Sequence, residues 1–420
     1  MHPPSVDTLA RSRADSPLPH PLLVDAARAA IAAGRHEDFD EFVRRAERRL
    51  LVPVINATGV LLHTNMGRAP VAMHRSSGYS NLELDLEDGK RGSRQARVAS
   101  LLARAGGAEA AVVVNNCAAA VMLGLAAVAK GGAVPVSRGE LVEIGGGFRV
   151  PEVLEQSGSR LVEVGTTNRT RLADFERAIA ENDDITAVLK VHPSNYRIEG
   201  FQENVEIKQL ATLGVPVIAD LGSGLLDEQC PWLSGGRPNW LGDEPAVRQS
   251  LEQGADLVMF SGDKLLGGPQ CGVIAGSAEL VERCARHPLM RALRPGDLVL
   301  EALQDVALAY LDRNGDAIDF WRMATAPLGP LQRRAAAIVE AAGIGSVVDA
   351  DATPGGGALP TATIDSVAIR LDGDRSAALR AQDRPIISRV VDGATLLDLR
   401  TVHADDDELV AAALTSLQAG

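Results

Sequence analysis

Short apolar runs alternate with helical patterns in the middle of the chain, between residues 110 and 276. "AAVVVNN" (110–116) predicts a strand, and "CAAAVMLGLAAVAK" directly after it predicts a helix. Further strands are predicted at "GAVPVS", "RLVEVG", "ITAVLKVHP", "VPVIADLG", "ADLVMFSG" and "CGVIAG", with helical segments such as "LADFERAIAEN" and "EPAVRQSLEQG" between several of them. This alternation predicts an α/β fold with a mainly parallel sheet and helices on both faces. In such sheets, ligands bind at the carboxyl ends of the strands.

Two regions of different pattern flank this segment. At the N-terminus, "HPLLVDAARAAIAAG" and "EDFDEFVRRAERRL" have apolar residues at helical spacing and predict a short helical module. At residues 298–311, "LVLEALQDVALAYL" predicts a long helix that leads out of the sheet, and beyond it "SVAIRL" and "ATLLDLRTV" predict strands. We therefore divide the chain into a helical module (1–54), a large domain (55–310) and a small α+β C-terminal domain (311–420).

Composition favours a globular protein of the cytoplasm. The 420 residues are 46% hydrophobic and 23% charged, and no apolar run approaches the ~18 residues that span a bilayer. The N-terminal "MHPPSVDTLARSRADSPLPHP" has no hydrophobic stretch of a signal peptide. The four cysteines are widely spaced, which favours a reduced compartment. No His or Cys spacing fits a metal site, so we expect no metal.

The charge pattern leaves one question about nucleic acids open. The net charge of −13 argues against general nucleic-acid affinity and against DNA. The second predicted helix nevertheless gathers Arg44, Arg45, Arg48 and Arg49 at its C-terminal end. These arginines fit a solvated helix end favoured by the helix dipole, or a surface that contacts RNA phosphates.

Lys264 lies at the tip of a predicted buried strand in "ADLVMFSGDKLLGGPQCGVIAG" (255–276). A buried ammonium is costly unless it has a use. A lysine at a strand end beside small residues fits a Schiff base to an aldehyde cofactor, since the amine can be desolvated there. Pyridoxal phosphate also needs an anion that faces its pyridine nitrogen and donors for its phosphate, ideally at a helix N-terminus.

The sequence supplies phosphate donors in the right place. Asn116, Cys117 and Ala118 lie between a predicted strand and a predicted helix, where they present backbone N–H groups. Ser261 lies three residues before Lys264 and supplies a hydroxyl. We assign the Cys117 thiol no chemistry of its own.

Asp220 ends the predicted strand "VPVIADLG" and is the natural partner of the pyridine nitrogen. A lone strand-end aspartate is more often a helix cap, and a lone lysine after a strand is more often a solvated loop residue. The order phosphate loop, Asp220, Lys264 on an α/β pattern favours pyridoxal phosphate over these separate interpretations. A P-loop is excluded because G-x-x-x-x-G-K-[ST] does not occur.

Long motifs in the chain resemble a known family. They are "INATGVLLHTNMGRAP", "YSNLELDLEDGKRGSR", "SRGELVEIGGGFRVPEVLEQSGSRLVEVGTTNRT", "KVHPSNYRIEGF", "ADLGSGLL", "FSGDKLLGGPQCG" and "HPLMRALRPGDL". These motifs resemble bacterial selenocysteine synthase, the L-seryl-tRNA(Sec) selenium transferase family of fold-type I enzymes that depend on pyridoxal phosphate. The resemblance covers most of residues 55–310 and continues more weakly through "ISRVVDGATLLDLRTV".

The resemblance implies roles for residues in the matching motifs. Lys264 matches the lysine that binds pyridoxal phosphate, Asp220 the pyridine-nitrogen partner, and Asp263 an acidic neighbour that handles protons. It implies β-elimination of the seryl hydroxyl from L-seryl-tRNA(Sec), an aminoacrylyl-tRNA intermediate, and selenium addition from selenophosphate to give L-selenocysteinyl-tRNA(Sec).

Arginines are implied to hold the selenium donor. Arg68, Arg291 and Arg294 fall where the resemblance places such arginines. In "RALR", Arg291 and Arg294 lie three residues apart and share a face if the segment is helical. Arginine suits a phosphate-like dianion. A surface ion-pair face is the alternative for these two residues.

The resemblance also implies assembly of several copies. The family forms rings made of five dimers, so we expect a homo-oligomer built of dimers, up to a decamer. His63, Asn65 and Arg94 lie in the matching motifs and are candidates to border the active site of a dimer mate. His192, Ser194 and Asn195 are further candidates to line the site, although a core or loop position suits His192 equally well.

Three departures from the family pattern keep rival functions open. The N-terminal module is short, "APVAMHRSSGYSN" is shortened, and "DEQCPWLSGGRPNWLGDEP" is longer than usual. The alternative function is a β-eliminating lyase that uses pyridoxal phosphate on a free amino acid or sugar acid, without tRNA. A free amino acid needs an arginine for its carboxylate, and Arg389 is the candidate. A catalytically inactive RNA-binding scaffold is disfavoured by the intact Lys264 and Asp220.

Overall fold

A computed structural model describes most of the chain, namely residues 4–72, 78–143, 147, 149–194, 196, 200–355, 359 and 361–418. Strands in this part of the chain are β1 (Ile55–Ala57), β2 (Ala110–Val114), β3 (Ala133–Ser137), β4 (Arg160–Val164), β5 (Val188–Val191), β6 (Val217–Gly222), β7 (Leu257–Ser261), β8 (Gly272–Gly276), β9 (Ser346–Ala352), β10 (Ile364–Asp372), β11 (Ile386–Val391) and β12 (Ala394–Asp398).

The helices of the described residues connect and cover these strands. They are α1 (Val6–Arg11), α2 (His20–Ala32), α3 (Phe39–Glu47), α4 (Ala96–Gly106), α5 (Cys117–Val128), α6 (Val150–Gln156), α7 (Leu172–Glu181), α8 (Ile207–Leu210), α9 (Val247–Glu252), α10 (Ala278–Arg286), α11 (Met290–Leu293), α12 (Asp297–Leu311), α13 (Asp319–Ala324), α14 (Leu328–Ala342), α15 (Ser376–Arg380) and α16 (Asp407–Ser416).

The central sheet is mainly parallel, as the alternating pattern predicts. Its strand order is β2-β8-β7-β6-β5, in which β5, β6 and β7 are parallel neighbours. β8 runs antiparallel to β2 and to β7. Beyond β5, the backbone of Ala133 in β3 is hydrogen-bonded to Asp184 and Thr186, and β4 pairs parallel with β3. The carboxyl ends of β6 and β7 therefore lie side by side at one edge.

Both faces of the sheet are buried, which explains the continuous apolar runs of its strands. In β2, Val113 faces a core built with α4, α7 and α12. Its neighbours Val112 and Val114 face the opposite core, built with α5, α6 and α10. This alternation confirms the predicted arrangement of helices on both faces.

A second sheet forms the core of the C-terminal part. Its order is β1-β11-β12-β10-β9, with β1 parallel to β11 and the remaining pairs antiparallel. Helices α14 and α16 cover it with Leu331, Ile338 and Leu414. Because β1 belongs to this sheet, residues 55–57 pack with the C-terminal part although the predicted large domain includes them. The domain limits themselves stay predictions.

The N-terminal module has a small core of its own. Helices α1, α2 and α3 enclose Leu23, Ala27, Phe39 and Val43. A guanidinium N–H of Arg48, after α3, donates to the carbonyl of Ala381 in the C-terminal part. A helix that is both long and apolar enough to cross a membrane is absent from the described part of the chain.

Candidate active site

Lys264 lies in a tight turn after β7, with its side chain buried. Its neighbour Leu265 donates its backbone N–H to the carbonyl of Ser223, which follows β6, at 2.8 Å. The N–H of Gly267 in turn donates to the carbonyl of Lys264 at 2.9 Å. These bonds fix the turn against the end of β6, so the ammonium is held at the carboxyl edge of the sheet.

Asp263 is held by two donors beside Lys264. Its Oδ2 lies 2.8 Å from Nη1 of Arg68, and its Oδ1 accepts from the hydroxyl of Ser261 at 2.7 Å. The Asp263 side chain is 3% exposed, so its carboxylate is shielded from water, whereas the Arg68 side chain is 31% exposed. Ser261 therefore directs its hydrogen to Asp263, and its role toward a phosphate stays a prediction.

Asp220 lies at the carboxyl end of β6 and is buried. Burial raises its pKa to about 6, while the nearby positive charges of Lys264 and His192 act in the opposite direction. The thiol of Cys117 lies 3.6 Å from Asp220 Oδ1 and donates to it. Burial also raises the pKa of that thiol, which keeps it protonated. A cationic ring nitrogen beside Asp220 would favour the ionised carboxylate.

The N-terminus of α5 provides a site for an anion. Asn116 caps the helix, because its side-chain oxygen accepts from the N–H of Ala119 at 2.9 Å. The N–H groups of Cys117 and Ala118, at the first two helical positions, have no acceptor within the helix. Gly272 of β8 lies against this turn, where an added Cβ would come within 2.9 Å of the Cys117 nitrogen. The turn therefore stays close to the sheet.

Gly222 leaves space between the lysine and a serine. It has a φ of 69°, and an added Cβ would lie 3.4 Å from Ser194 Oγ and 3.8 Å from Lys264 Nζ. The hydroxyl of Ser194 is buried and has no hydrogen-bond partner among the residues that the structure describes. An amine, a carboxylate, a free hydroxyl and a helix N-terminus at the ends of adjacent strands fit pyridoxal phosphate.

His192 joins this group at the end of β5. Its backbone N–H donates to the carbonyl of Asp220 at 2.8 Å. Its Nε2 lies 3.3 Å from Oε2 of Glu244, a residue that the sequence patterns did not single out. Glu244 lies in the loop between β6 and α9, at the first position of the predicted helical segment "EPAVRQSLEQG", whereas α9 begins at Val247. Helical periodicity gives no signal for a contact with the distant His192. Asn195, predicted beside His192, lies outside the described residues.

The arginines predicted to hold the selenium donor line two different clefts of the single chain. Arg68 borders a cleft of about 530 Å³ together with His63. Arg291 and Arg294 border another of about 630 Å³ together with Arg94. Asn65 is exposed, in the turn that precedes Arg68. The structure therefore brings together Arg291, Arg294 and Arg94, and places Arg68 with Asp263.

Arg291 and Arg294 do not share a helix face. Helix α11 ends at Leu293, and Arg294 follows it in extended conformation with a ψ of 137°. Nη1 of Arg294 lies 3.6 Å from Oε1 of Glu83, an oxygen that also accepts from Nε of Arg94 at 2.9 Å. The other oxygen, Oε2, lies 2.8 Å from Nη2 of Arg91. The hydrogen bond from Arg94 is the main reason that the pKa of Glu83 is lowered.

Arg389 is engaged inside the C-terminal sheet. Its Nη1 donates to the carbonyl of Asp351 at 2.8 Å, and its Nη2 lies 3.3 Å from Oδ2 of the fully buried Asp398. Nη1 and Nη2 thus have protein acceptors, whereas Nε has none among the described residues. A substrate carboxylate would have to compete with Asp398 for Nη2.

Comparison with known proteins decides the family. The family model described as L-seryl-tRNA selenium transferase matches residues 54–403. The chain belongs to this family. Proteins named L-seryl-tRNA(Sec) selenium transferase are similar over most of its length. The one from Moorella thermoacetica is 43% identical over 89% of this chain and 83% of its own. The one from Desulfovibrio desulfuricans is 45% identical over 87% of this chain and 81% of its own.

Membership of the L-seryl-tRNA selenium transferase family confirms three expectations: an enzyme, pyridoxal phosphate as cofactor, and the fold-type I architecture. The fold is also that of D-glucosaminate-6-phosphate ammonia-lyase, with a TM-score of 0.59, 22% identity, and coverage of 88% of this chain and 97% of that one. At this identity the likeness concerns the fold alone. The roles of individual site residues stay predictions.

Proposed function

We propose that this protein converts L-seryl-tRNA(Sec) to L-selenocysteinyl-tRNA(Sec) with selenophosphate as the selenium donor. The observation that carries the proposal is the placement of Lys264 and Asp220 at adjacent strand ends, beside the N-terminus of α5, in a member of this family. This placement supplies a nucleophilic amine, a carboxylate and an anion site in one buried group.

Each part of the site has a role toward the cofactor. The N–H groups of Cys117 and Ala118 hold the phosphate, with Asn116 capping the helix and Ser261 nearby. Asp220 faces the pyridine nitrogen, and Lys264 is the covalent anchor. When bound, pyridoxal phosphate supplies an electron sink for the charge that develops at the substrate Cα.

The proton transfers fall to the chain itself. Lys264 Nζ takes the proton from Cα of the seryl group, because its amine is the basic group at the centre of the site. Asp263, directly beside it, is the second proton carrier and serves the departing β-hydroxyl. The oxygen of that hydroxyl leaves as water. Selenium then bonds to Cβ, and Lys264 Nζ returns a proton to Cα. A water molecule cleaves the P–Se bond so that phosphate is released. Burial of both residues keeps bulk water from these groups.

The selenium donor is a dianion that arginines bind well. We assign Arg291 and Arg294 to its binding, with Arg68 as the third member. Since Arg68 lines a different cleft of the same chain, a donor site that uses all three is completed by a second copy. The proposal therefore includes a dimer, and the resemblance to the family extends it to a homo-oligomer built of dimers, up to a decamer.

The N-terminal module is proposed to contact the tRNA. Arg44, Arg45, Arg48 and Arg49 are exposed at the end of α3 and suit the phosphate backbone. All four cysteines are free, as expected of a protein of the reducing cytoplasm, where this reaction takes place.

The lyase alternative receives no support from Arg389. A free amino acid presents a carboxylate that needs a cation, whereas the seryl group of a tRNA is an ester and needs none. The guanidinium of Arg389 is already bound to Asp398 and to the carbonyl of Asp351. The aminoacyl ester is therefore the better substrate for this site.

A direct comparison of substrates tests the proposal. Purified protein loaded with pyridoxal phosphate is mixed with selenophosphate and either seryl-tRNA(Sec) or free serine and O-phosphoserine. We expect selenocysteinyl-tRNA from the first mixture and no pyruvate from the second. Pyruvate release without selenocysteinyl-tRNA would overturn the proposal in favour of the lyase.

A further inference from the structure

The imidazole of His192 and the carboxylate of Glu244 form a pair at the edge of the candidate site. Nε2 of His192 lies 3.3 Å from Oε2 of Glu244, although 52 positions separate the two residues in the chain. The backbone N–H of His192 also donates to the carbonyl of Asp220. The pair therefore connects the loop between β6 and α9 to the backbone of Asp220, whose side chain is proposed to face the cofactor.

Glu244 is buried more completely than a loop carboxylate usually is. Its side chain is 3% exposed, against 26% for His192. The other oxygen, Oε1, has no hydrogen-bond partner among the described residues. A buried carboxylate in this state costs stability, so its presence calls for an explanation other than stability.

The loop holds Glu244 in place through its backbone. The N–H of Glu244 donates to the carbonyl of Leu241 at 3.0 Å, and the carbonyl of Glu244 accepts from Nη2 of Arg237 at 3.1 Å. Two positions later, Ala246 is fully buried. These contacts fix the loop without the carboxylate, which leaves the side chain free to serve His192.

We propose that Glu244 is a positioning residue that acts through His192. By accepting a hydrogen bond from Nε2–H, the carboxylate selects the tautomer and ring orientation of His192, and leaves Nδ1 as the nitrogen available to cofactor or substrate. The nearby acid Glu140 does not compete, because it is bound by Lys190 and by the N–H of Val191.

This inference rests on pyridoxal phosphate binding at the site, as proposed above, but not on the tRNA or the selenium donor. A structural role for Glu244 is the competing explanation. The two differ in their consequences: loss of a structural contact lowers stability, whereas replacement of a poorly paired buried carboxylate by leucine leaves stability unchanged or raises it.

The test compares Glu244→Gln, Glu244→Leu, His192→Leu and the double variant, with Asp227→Asn as the matched control. Asp227 is a buried carboxylate of the same loop that pairs with Arg248 instead of histidine. The readouts are the visible absorption spectrum and dissociation constant of added pyridoxal phosphate, and urea unfolding of the apoprotein.

We expect Glu244→Leu to weaken cofactor binding about tenfold and to alter its spectrum, with stability kept. Glu244→Gln retains an acceptor and should stay within about threefold of wild type. In the His192→Leu background, Glu244→Leu should weaken cofactor binding no further. Asp227→Asn should leave the spectrum of the bound cofactor unchanged. An equal effect of Glu244→Leu with and without His192, or lost stability with an unchanged spectrum, would overturn the inference. Failure of selenium transfer with these cofactor results intact would count against the proposed function alone.

Discussion

Arg68 Nη1 lies 2.8 Å from Asp263 Oδ2, so an arginine near the start of the chain contacts the residue that precedes Lys264. Arg68 has a positive φ of 64°, and the N–H of the next residue, Ala69, donates to the carbonyl of Asp263 at 3.2 Å. Side chain and backbone thus tie this segment to the lysine turn. Arg68 thus places a positive charge against a buried carboxylate that directly precedes Lys264 in the chain.

Removal of Arg68 should destabilise the protein through Asp263. Arg68→Gln leaves a buried carboxylate with Ser261 as its remaining donor, and we expect the free energy of unfolding to fall by about 2 kcal/mol. Arg68→Lys should restore part of the loss because it keeps the charge. Urea unfolding measures both. Arg322→Gln is the control, since Arg322 borders the same cleft and pairs with Asp319 near the surface. An equal loss in the control would contradict the prediction.

Asp220 should give the apoprotein a characteristic pH dependence. Because its pKa is raised to about 6 in the folded state, its contribution to stability is complete below its ordinary pKa near 3.8 and is lost as the pH rises through about 6. The amide of Asp220→Asn does not titrate. The stability of wild type relative to this variant should therefore fall by about 2–3 kcal/mol between about pH 4 and pH 7. Urea unfolding of both proteins across this pH range measures the difference. A difference in free energy of unfolding that stays constant with pH would contradict the raised pKa of Asp220.

Space beside Gly222 should be required for the cofactor. Gly222→Ala places a methyl group between Ser194 and Lys264 and adds left-handed strain of about 1–2 kcal/mol. Gly214→Ala is matched, because Gly214 has a φ of 75° with no atom within 4 Å of the added Cβ. Both variants should lose similar stability, while Gly222→Ala alone should bind pyridoxal phosphate at least about tenfold more weakly. Fluorescence titration with pyridoxal phosphate measures the affinity of each variant. Equal affinities of Gly222→Ala and Gly214→Ala would show that the cofactor does not bind beside Gly222.

The cleft of Arg291 and Arg294 should govern use of the selenium donor. Each arginine supplies charge-assisted hydrogen bonds, so Arg291→Gln and Arg294→Gln should each raise the KM for selenophosphate about tenfold. The KM for seryl-tRNA should change little. Arg286 borders the same cleft but pairs with Glu282, and Arg286→Gln serves as control. Steady-state kinetics with each substrate varied in turn measures both KM values. An equal rise of the KM for selenophosphate in Arg286→Gln would refute the assignment.

Local patterns were sufficient to predict the positions of the central residues. Apolar runs located the strand that contains Asp220 and the strand that precedes Lys264, and parallel strands bring their carboxyl ends to one edge. The strand of Asp220 continues to Gly222, two residues beyond the end expected from the sequence. The polar residue near the end of each apolar run therefore indicated which side chains lie at this edge of the sheet. The start of α5 was also predictable, because Asn116 lies between the apolar run of β2 and the helical pattern that follows it.

Contacts between distant segments could not be predicted in this way. Periodicity gives no strand direction, so the antiparallel placement of β8 had no signal, and β1 pairs with β11 more than 300 positions later. Glu244 is a polar residue of a long loop, and its contact with His192 arises from tertiary packing alone. The helical spacing expected for Arg294 failed because Pro295 follows it, and a residue before proline is disfavoured in a helix.

The identity of the lysine that carries the cofactor tests the account most directly. The chain has five lysines, of which Lys264 is buried at the strand end and Lys190 is paired with Glu140. Protein loaded with pyridoxal phosphate is reduced with borohydride, digested and analysed by mass spectrometry. The account predicts the pyridoxyl phosphate group on the peptide that contains Lys264, and its loss in Lys264→Ala. Modification of Lys190 or another lysine, or full selenium transfer by Lys264→Ala, would contradict it.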